Sequence, residues 1–316
     1  MPLDINLQKL LDSLAAAGRK PTHEYPVELA RIGYRKLTCD SVLPSQVVQI
    51  ADVQNISIED EASHSVKVRV YRPETTGSLP TIVFFHGGGF VMGDLDTHDD
   101  ICRNLCKQIN SVVVAVDYRL APEHPFPAAI EDALIATKYV ITHKHEFGGS
   151  DIVAVAGDSA GGNLAAVVAQ QMDTLGLRLT AQLLIYPALD HIEAVHKSRT
   201  ENAHGYFLEL ETFKWFFEQY AGSKKDFNDP LFLPMKANIH KSIAPAIIIV
   251  AEFDPLRDEG KAYGEILNNE GVKAEVIIAE GMIHGFFDMG RWSPKAQEYI
   301  QLAVRQFKAL LDSSHA

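Results

Sequence analysis

The chain has 316 residues, 47% of them hydrophobic and 22% charged, and its 29 basic and 41 acidic side chains leave a formal net charge of -12. That size and composition suit one globular catalytic domain with a small lid, able to bury a large core without disulfides or a structural metal. The negative charge repels phosphate backbones and anionic headgroups, which argues against nucleic-acid and membrane partners.

Residues 3 to 17 carry Leu3, Leu7, Leu10, Leu11 and Leu14 at helical spacing, and Gly18 closes the pattern. Residues 19 to 50 are mixed and proline-bearing, without a regular period. From Ile56 to Tyr71 the pattern changes: Val66, Val68 and Val70 alternate with Lys67 and Arg69, the period of a half-buried strand. Continuous apolar runs follow at 81–85, 112–116, 152–156, 183–186, 247–250 and 276–279, as in strands covered on both faces of a parallel sheet. Helical stretches lie between them at 97–109, 128–145, 161–172, 258–270 and 295–312. The alternation predicts an α/β fold with a mostly parallel sheet flanked by helices and led by an antiparallel edge. Residues 188 to 240 break the rhythm. They hold no convincing strand but many aromatics, which reads as a helical cap rather than a bare loop.

Cys39, Cys102 and Cys106 make neither a disulfide framework nor a metal pair. Cys102 and Cys106 share one helical face and read as buried small hydrophobes. Reduced thiols and an N-terminus without signal-peptide character give a cytoplasmic expectation. No apolar run is long enough for a membrane helix. No cofactor is expected, and no His/carboxylate cluster suggests a metal.

Gly157-Asp158-Ser159-Ala160-Gly161 matches Gly-x-Ser-x-Gly between a strand and a helix, the setting of a nucleophile elbow. Glycine at 157 and 161 relieves collisions with neighbouring strands. Ser159 would then project its hydroxyl from the sheet edge, at a helix start whose N–H groups face a developing oxyanion. The loop His86-Gly87-Gly88-Gly89 can add further N–H donors to that of Ala160. His86 reads as orienting this loop, not as a base. The base is His284 and the acid Asp254, each just past its own strand, in the order Ser, Asp, His. Glu252 and Asp258 are rival acids, but Asp258 falls at a helix start, where an acidic side chain is ordinary.

With these motifs and Ile283-His284-Gly285-Phe286 assembled, the sequence resembles the hormone-sensitive-lipase-like carboxylesterases of the α/β-hydrolase superfamily, in their bacterial branch. Asp117 to Glu123 also matches a family loop, with Arg119 read as a buried ion-pair partner. The resemblance implies a triad of Ser159, Asp254 and His284 and an oxyanion hole from the N–H groups of Gly88, Gly89 and Ala160. Gly87, Gly157, Asp158 and Gly161 would shape the elbow and loop. It also implies a cap made of residues 1–50 and 188–240 on a catalytic domain formed by 51–187 and 241–316. Tyr186, Phe207, Leu208 and Phe213 are candidates for the substrate pocket. The expected partner is a small-molecule ester of short to medium chain length. Pairing into a homodimer is left open. An amidase or formamidase on the same triad, or a non-catalytic small-molecule receptor of this fold, are the alternatives.

Overall fold

The computed structural model describes residues 1–60, 63–75, 77–224 and 227–313. The chain opens with helices α1 (Ile5–Ala16) and α2 (Val27–Thr38), then strands β1 (Asp52–Glu59), β2 (Ser65–Arg72) and β3 (Leu79–Phe85). There follow α3 (Asp99–Ile109), β4 (Val112–Asp117), α4 (Ala128–Thr142), β5 (Gly149–Asp158), α5 (Ala160–Thr174) and β6 (Gln182–Ile185). Two helices, α6 (Lys197–Glu201) and α7 (Leu210–Ala221), precede β7 (Ala246–Phe253), α8 (Arg257–Asn269), β8 (Ala274–Ile283) and α9 (Pro294–Ser313).

Among the described residues, eight strands form one sheet in the order β1-β2-β4-β3-β5-β6-β7-β8. β1 and β2 pair antiparallel, as do β2 and β4, and the remaining pairs are parallel. The expected α/β fold with an antiparallel edge is borne out. Its apolar strands are buried on both faces because side chains alternate across the pleat. Val83, Phe85, Val114, Val155, Ile248 and Val250 join one core with α4, α5 and α8. Ile82, Phe84, Val113, Ala154, Ile247 and Ile249 join the other with α3 and α9. Cys102 and Cys106 lie in this second core, and burial drives the Cys106 thiol up to about 12.

Two expectations need correction. The stretch 19–50 contains α2, a regular helix whose inward side chains are Ala30 and Thr38, with Val27 and Tyr34 half-buried, while Leu29 and Ile32 face solvent. Val27, Ala30, Tyr34 and Leu37 do recur at helical spacing on the inward face, a period masked in the sequence by the prolines before it and by the exposed Leu29 and Ile32. Arg119 pairs with Asp132 at 2.8 Å, but it is the carboxylate that is buried, whereas the arginine side chain is 32% exposed.

No helix among the described residues is long and apolar enough to cross a membrane.

Candidate active site

The sheet brings four strand ends together. β3 and β5 are parallel neighbours with Phe85 opposite Gly157, so the loop starting at His86 emerges beside the turn at Ser159. β7 and β8 pair Phe253 with Ile283, which makes Asp254 and His284 the next residues on adjacent strands. Functional loops gather at this carboxyl edge of parallel sheets.

Ser159 takes φ +55° and ψ -116°, a backbone conformation that L-residues rarely adopt. Its N–H donates to the Ile185 carbonyl at 2.8 Å, and its own carbonyl accepts from Ala188 N–H at 3.2 Å. The hydroxyl makes no capping bond to α5. Instead Oγ stands 2.9 Å from Nε2 of His284, whose Nδ1 is 2.7 Å from Oδ2 of Asp254. Asp254 is fully buried, and its Oδ1 accepts the Leu256 N–H at 2.8 Å, so neither carboxylate oxygen is free to turn. Of the rival acids, Glu252 accepts from Gly281 N–H and the terminal amine, and Asp258 from Ser198 N–H and Arg257. Neither meets the imidazole.

A Cβ at Gly161 would stand 1.9 Å from the Phe85 carbonyl oxygen, which forbids any side chain there. At Gly157 a Cβ would also collide with the Phe85 carbonyl of the neighbouring strand, at 2.9 Å, and more tightly still with the Gly161 carbonyl within the elbow itself.

In the glycine loop, the Gly87 N–H donates to Oδ1 of Asp158 at 2.8 Å. The N–H groups of Gly88, Gly89 and Ala160 donate to no acceptor among the described residues. His86 is buried, its Nδ1 lies 2.7 Å from the Gly87 carbonyl, and its ring stacks on Tyr118 at 4.2 Å. Burial, then the charge of His98, pushes its pKa down to about 4, so it is neutral at pH 7.

His98 escaped the sequence reading. It lies buried just before α3, with Nε2 3.3 Å from Asp158 Oδ1 and 3.2 Å from the Gly87 N–H, and Nδ1 2.9 Å from the Thr97 hydroxyl. Burial would lower its pKa, but the charge and hydrogen bond of Asp158 outweigh this and raise it. The contacts of His98 with Asp158 and the Gly87 N–H brace the elbow against the glycine loop. Only its position shortly after the glycines hints at this in the sequence.

A cavity of about 100 Å³ opens onto Ser159 and His284. Tyr186, Phe207, Leu208 and Phe213 all line it, joined by Phe216, Tyr220 and Phe232, which sequence reasoning had not singled out for the pocket. The Tyr186 ring lies 4.6 Å from that of His284. Tyr25 and Tyr34 from the N-terminal segment pack with Leu208, Phe213 and Phe216 over the glycine loop.

Residues 82–288 match a protein family described as alpha/beta hydrolase fold. Esterase LipI of Mycobacterium tuberculosis is 43% identical over 253 residues, covering 78% of each chain. The ethyl acetate hydrolase of Pseudomonas putida is 33% identical over 305 residues, 94% of each. The solved hyperthermophilic esterase of Pyrobaculum calidifontis superposes with a TM-score of 0.92 at 37% identity, covering 98% of this chain and 99% of that one. The chain is therefore a carboxylic ester hydrolase, and it belongs to the hormone-sensitive-lipase-like carboxylesterases of the α/β-hydrolase fold.

Proposed function

We propose that Ser159 is the nucleophile, His284 the general base and acid, and Asp254 the residue that orients the imidazole, in a two-step acyl transfer. The observation that carries this reading is the unbroken chain from Asp254 Oδ2 through His284 to Ser159 Oγ, at 2.7 and 2.9 Å. As the Ser159 hydroxyl attacks the ester carbonyl, Nε2 takes its proton, and Asp254 stabilises the imidazolium. The negative oxygen of the tetrahedral intermediate meets the N–H groups of Gly88, Gly89 and Ala160. Each such donor contributes about 3 kcal/mol to the transition state. The proton passes to the departing alcohol, and water repeats the sequence on the acyl-enzyme. Gly87, Asp158 and His86 hold the loop in place, while Gly157 and Gly161 make room for the turn.

Residues 1–50 and 188–240 act as a cap, whose Phe207, Leu208 and Phe213 narrow the pocket beside Tyr186. A cavity of this size walled by aromatic rings suits short to medium acyl chains. Three free cysteines fit a cytoplasmic setting. The contact between Ser159 and His284 favours an enzyme over a receptor of the same fold.

Replacing Ser159 by Ala should abolish hydrolysis of p-nitrophenyl butanoate and labelling by a fluorophosphonate probe, without loss of thermal stability. Near wild-type turnover by S159A would overturn the assignment. Rates against acyl length should peak below about eight carbons, within a cavity too small for long chains.

A further inference from the structure

Arg19 is the only arginine or lysine among the described residues that line the cavity above Ser159. Its placement is built by the fold. Helix α1 ends with Gly18 at φ +70°, and the Arg19 N–H donates to the Leu14 carbonyl at 3.1 Å, the long bond of a Schellman ending. The backbone is thereby fixed where the side chain leaves it. The guanidinium carbon stands 5.5 Å from the centroid of the Phe207 ring. A Cβ at Gly285, the residue after His284, would meet the edge of that same ring at 3.4 Å. One aromatic ring thus separates the positive charge from the catalytic histidine's neighbour.

This charge has no counter-ion among the described residues. Arg31 and Arg35, the other arginines of the N-terminal segment, are each paired with carboxylates. No carboxylate stands within ion-pair distance of Arg19 among the described residues, and Tyr25 and Tyr34 are the groups that interact with it electrostatically. Burial holds its pKa below the usual arginine value, although a guanidinium remains charged at any working pH. The cavity's own carboxylates, Asp158 and Asp190, are already held by His98 and His196. A partly desolvated cation facing a largely aromatic cavity whose carboxylates are already engaged costs free energy that an anionic ligand would recover.

We propose that Arg19 makes this enzyme selective for esters that carry a carboxylate on their acyl or alcohol part. The proposal rests on the esterase reading above. A guanidinium binds a carboxylate through two parallel hydrogen bonds, a geometry that a neutral ester does not offer. The net charge of -12 opposes anions only weakly at this site, since charges beyond about 8 Å are screened at physiological salt.

Two matched pairs test it at pH 7.5: 4-nitrophenyl hydrogen adipate against 4-nitrophenyl hexanoate, and 4-carboxyphenyl butanoate against phenyl butanoate. The first pair places the carboxylate on the acyl part and the second on the alcohol part. The readout is the ratio of kcat/KM for the anionic ester to that for its neutral partner. In at least one pair, that ratio should fall tenfold or more from wild type to Arg19→Met, chiefly through KM. Arg19→Gln, which keeps a polar side chain, gives the same ratio test if the methionine variant folds poorly. Ratios unchanged within twofold in both pairs overturn the proposal while leaving the esterase reading intact. Failure of wild type to hydrolyse even the neutral esters overturns both.

Discussion

At Ser159 a strained backbone and a fully engaged acid meet. The serine is held at positive φ by bonds to Ile185 and Ala188, so its hydroxyl points to His284 instead of capping α5. Asp254, without solvent contact, spans His284 Nδ1 and the Leu256 N–H. Replacing it with Asn preserves shape and one acceptor but offers an amide donor to Nδ1, which favours the wrong imidazole tautomer. Asp254→Asn should lower kcat about 10³- to 10⁴-fold with little change in KM, as measured on p-nitrophenyl butanoate. A loss below tenfold would show that the carboxylate does not govern the imidazole. At this scale the sequence is highly legible, because turn geometry and reaction chemistry permit few residue types at 157, 159, 161, 254 and 284. His98 and Arg19 were not legible. Each is placed against a group distant in sequence, Asp158 for the one and Phe207 for the other.

Among the elements, α2 lay in a stretch that reads as irregular, and it is also tied to the glycine loop. Arg31 donates to the Val91 and Ala121 carbonyls at 2.7 and 3.0 Å and pairs with Glu123, while one turn later Arg35 bridges Asp94 and Asp96. The two arginines differ in exposure and so in worth. Arg35 and its partners are all more than 40% exposed, where salt bridges contribute little. Arg35→Gln should therefore cost under about 1 kcal/mol. Arg31→Leu leaves two part-buried carbonyls without donors and should cost about 1–3 kcal/mol, seen as a lower urea midpoint. Equal losses in the two variants would contradict this ranking. β1 was obscured for a different reason. As an edge strand with four consecutive exposed residues, it lacks the apolar run that marks the inner strands.

For the whole molecule, stability should depend on pH through Asp288, on the short turn after His284. Its Oδ1 is buried without a hydrogen-bond partner. Burial pushes its pKa up to about 7, although His98 and Arg291 oppose the shift. The folded chain keeps this proton up to about pH 7, whereas the unfolded chain releases it near roughly pH 4. Between those values the folded state binds more protons, so this group's contribution to stability declines as pH rises. Asp288→Asn removes the ionisation and should flatten that decline, gaining roughly 2–3 kcal/mol at pH 8 relative to pH 5. Denaturant midpoints at the two pH values measure it. A slope identical to wild type would assign the dependence to other groups.

The amino-acid sequence by itself determined the fold class, the inner strands and their helices, and the candidate residues of the Ser-Asp-His order. These follow from local rules, namely side-chain periodicity, turn sterics and the few groups able to attack a carbonyl. Tertiary structure alone decided what depends on distant segments meeting. The pairing of β3 with β5 set the glycine loop beside the elbow, and the docking of the N-terminal segment on Phe207 and Phe216 gave the cavity part of its wall and its arginine. Burial and charge pairing arise only when such segments are in contact, so no local pattern carries them.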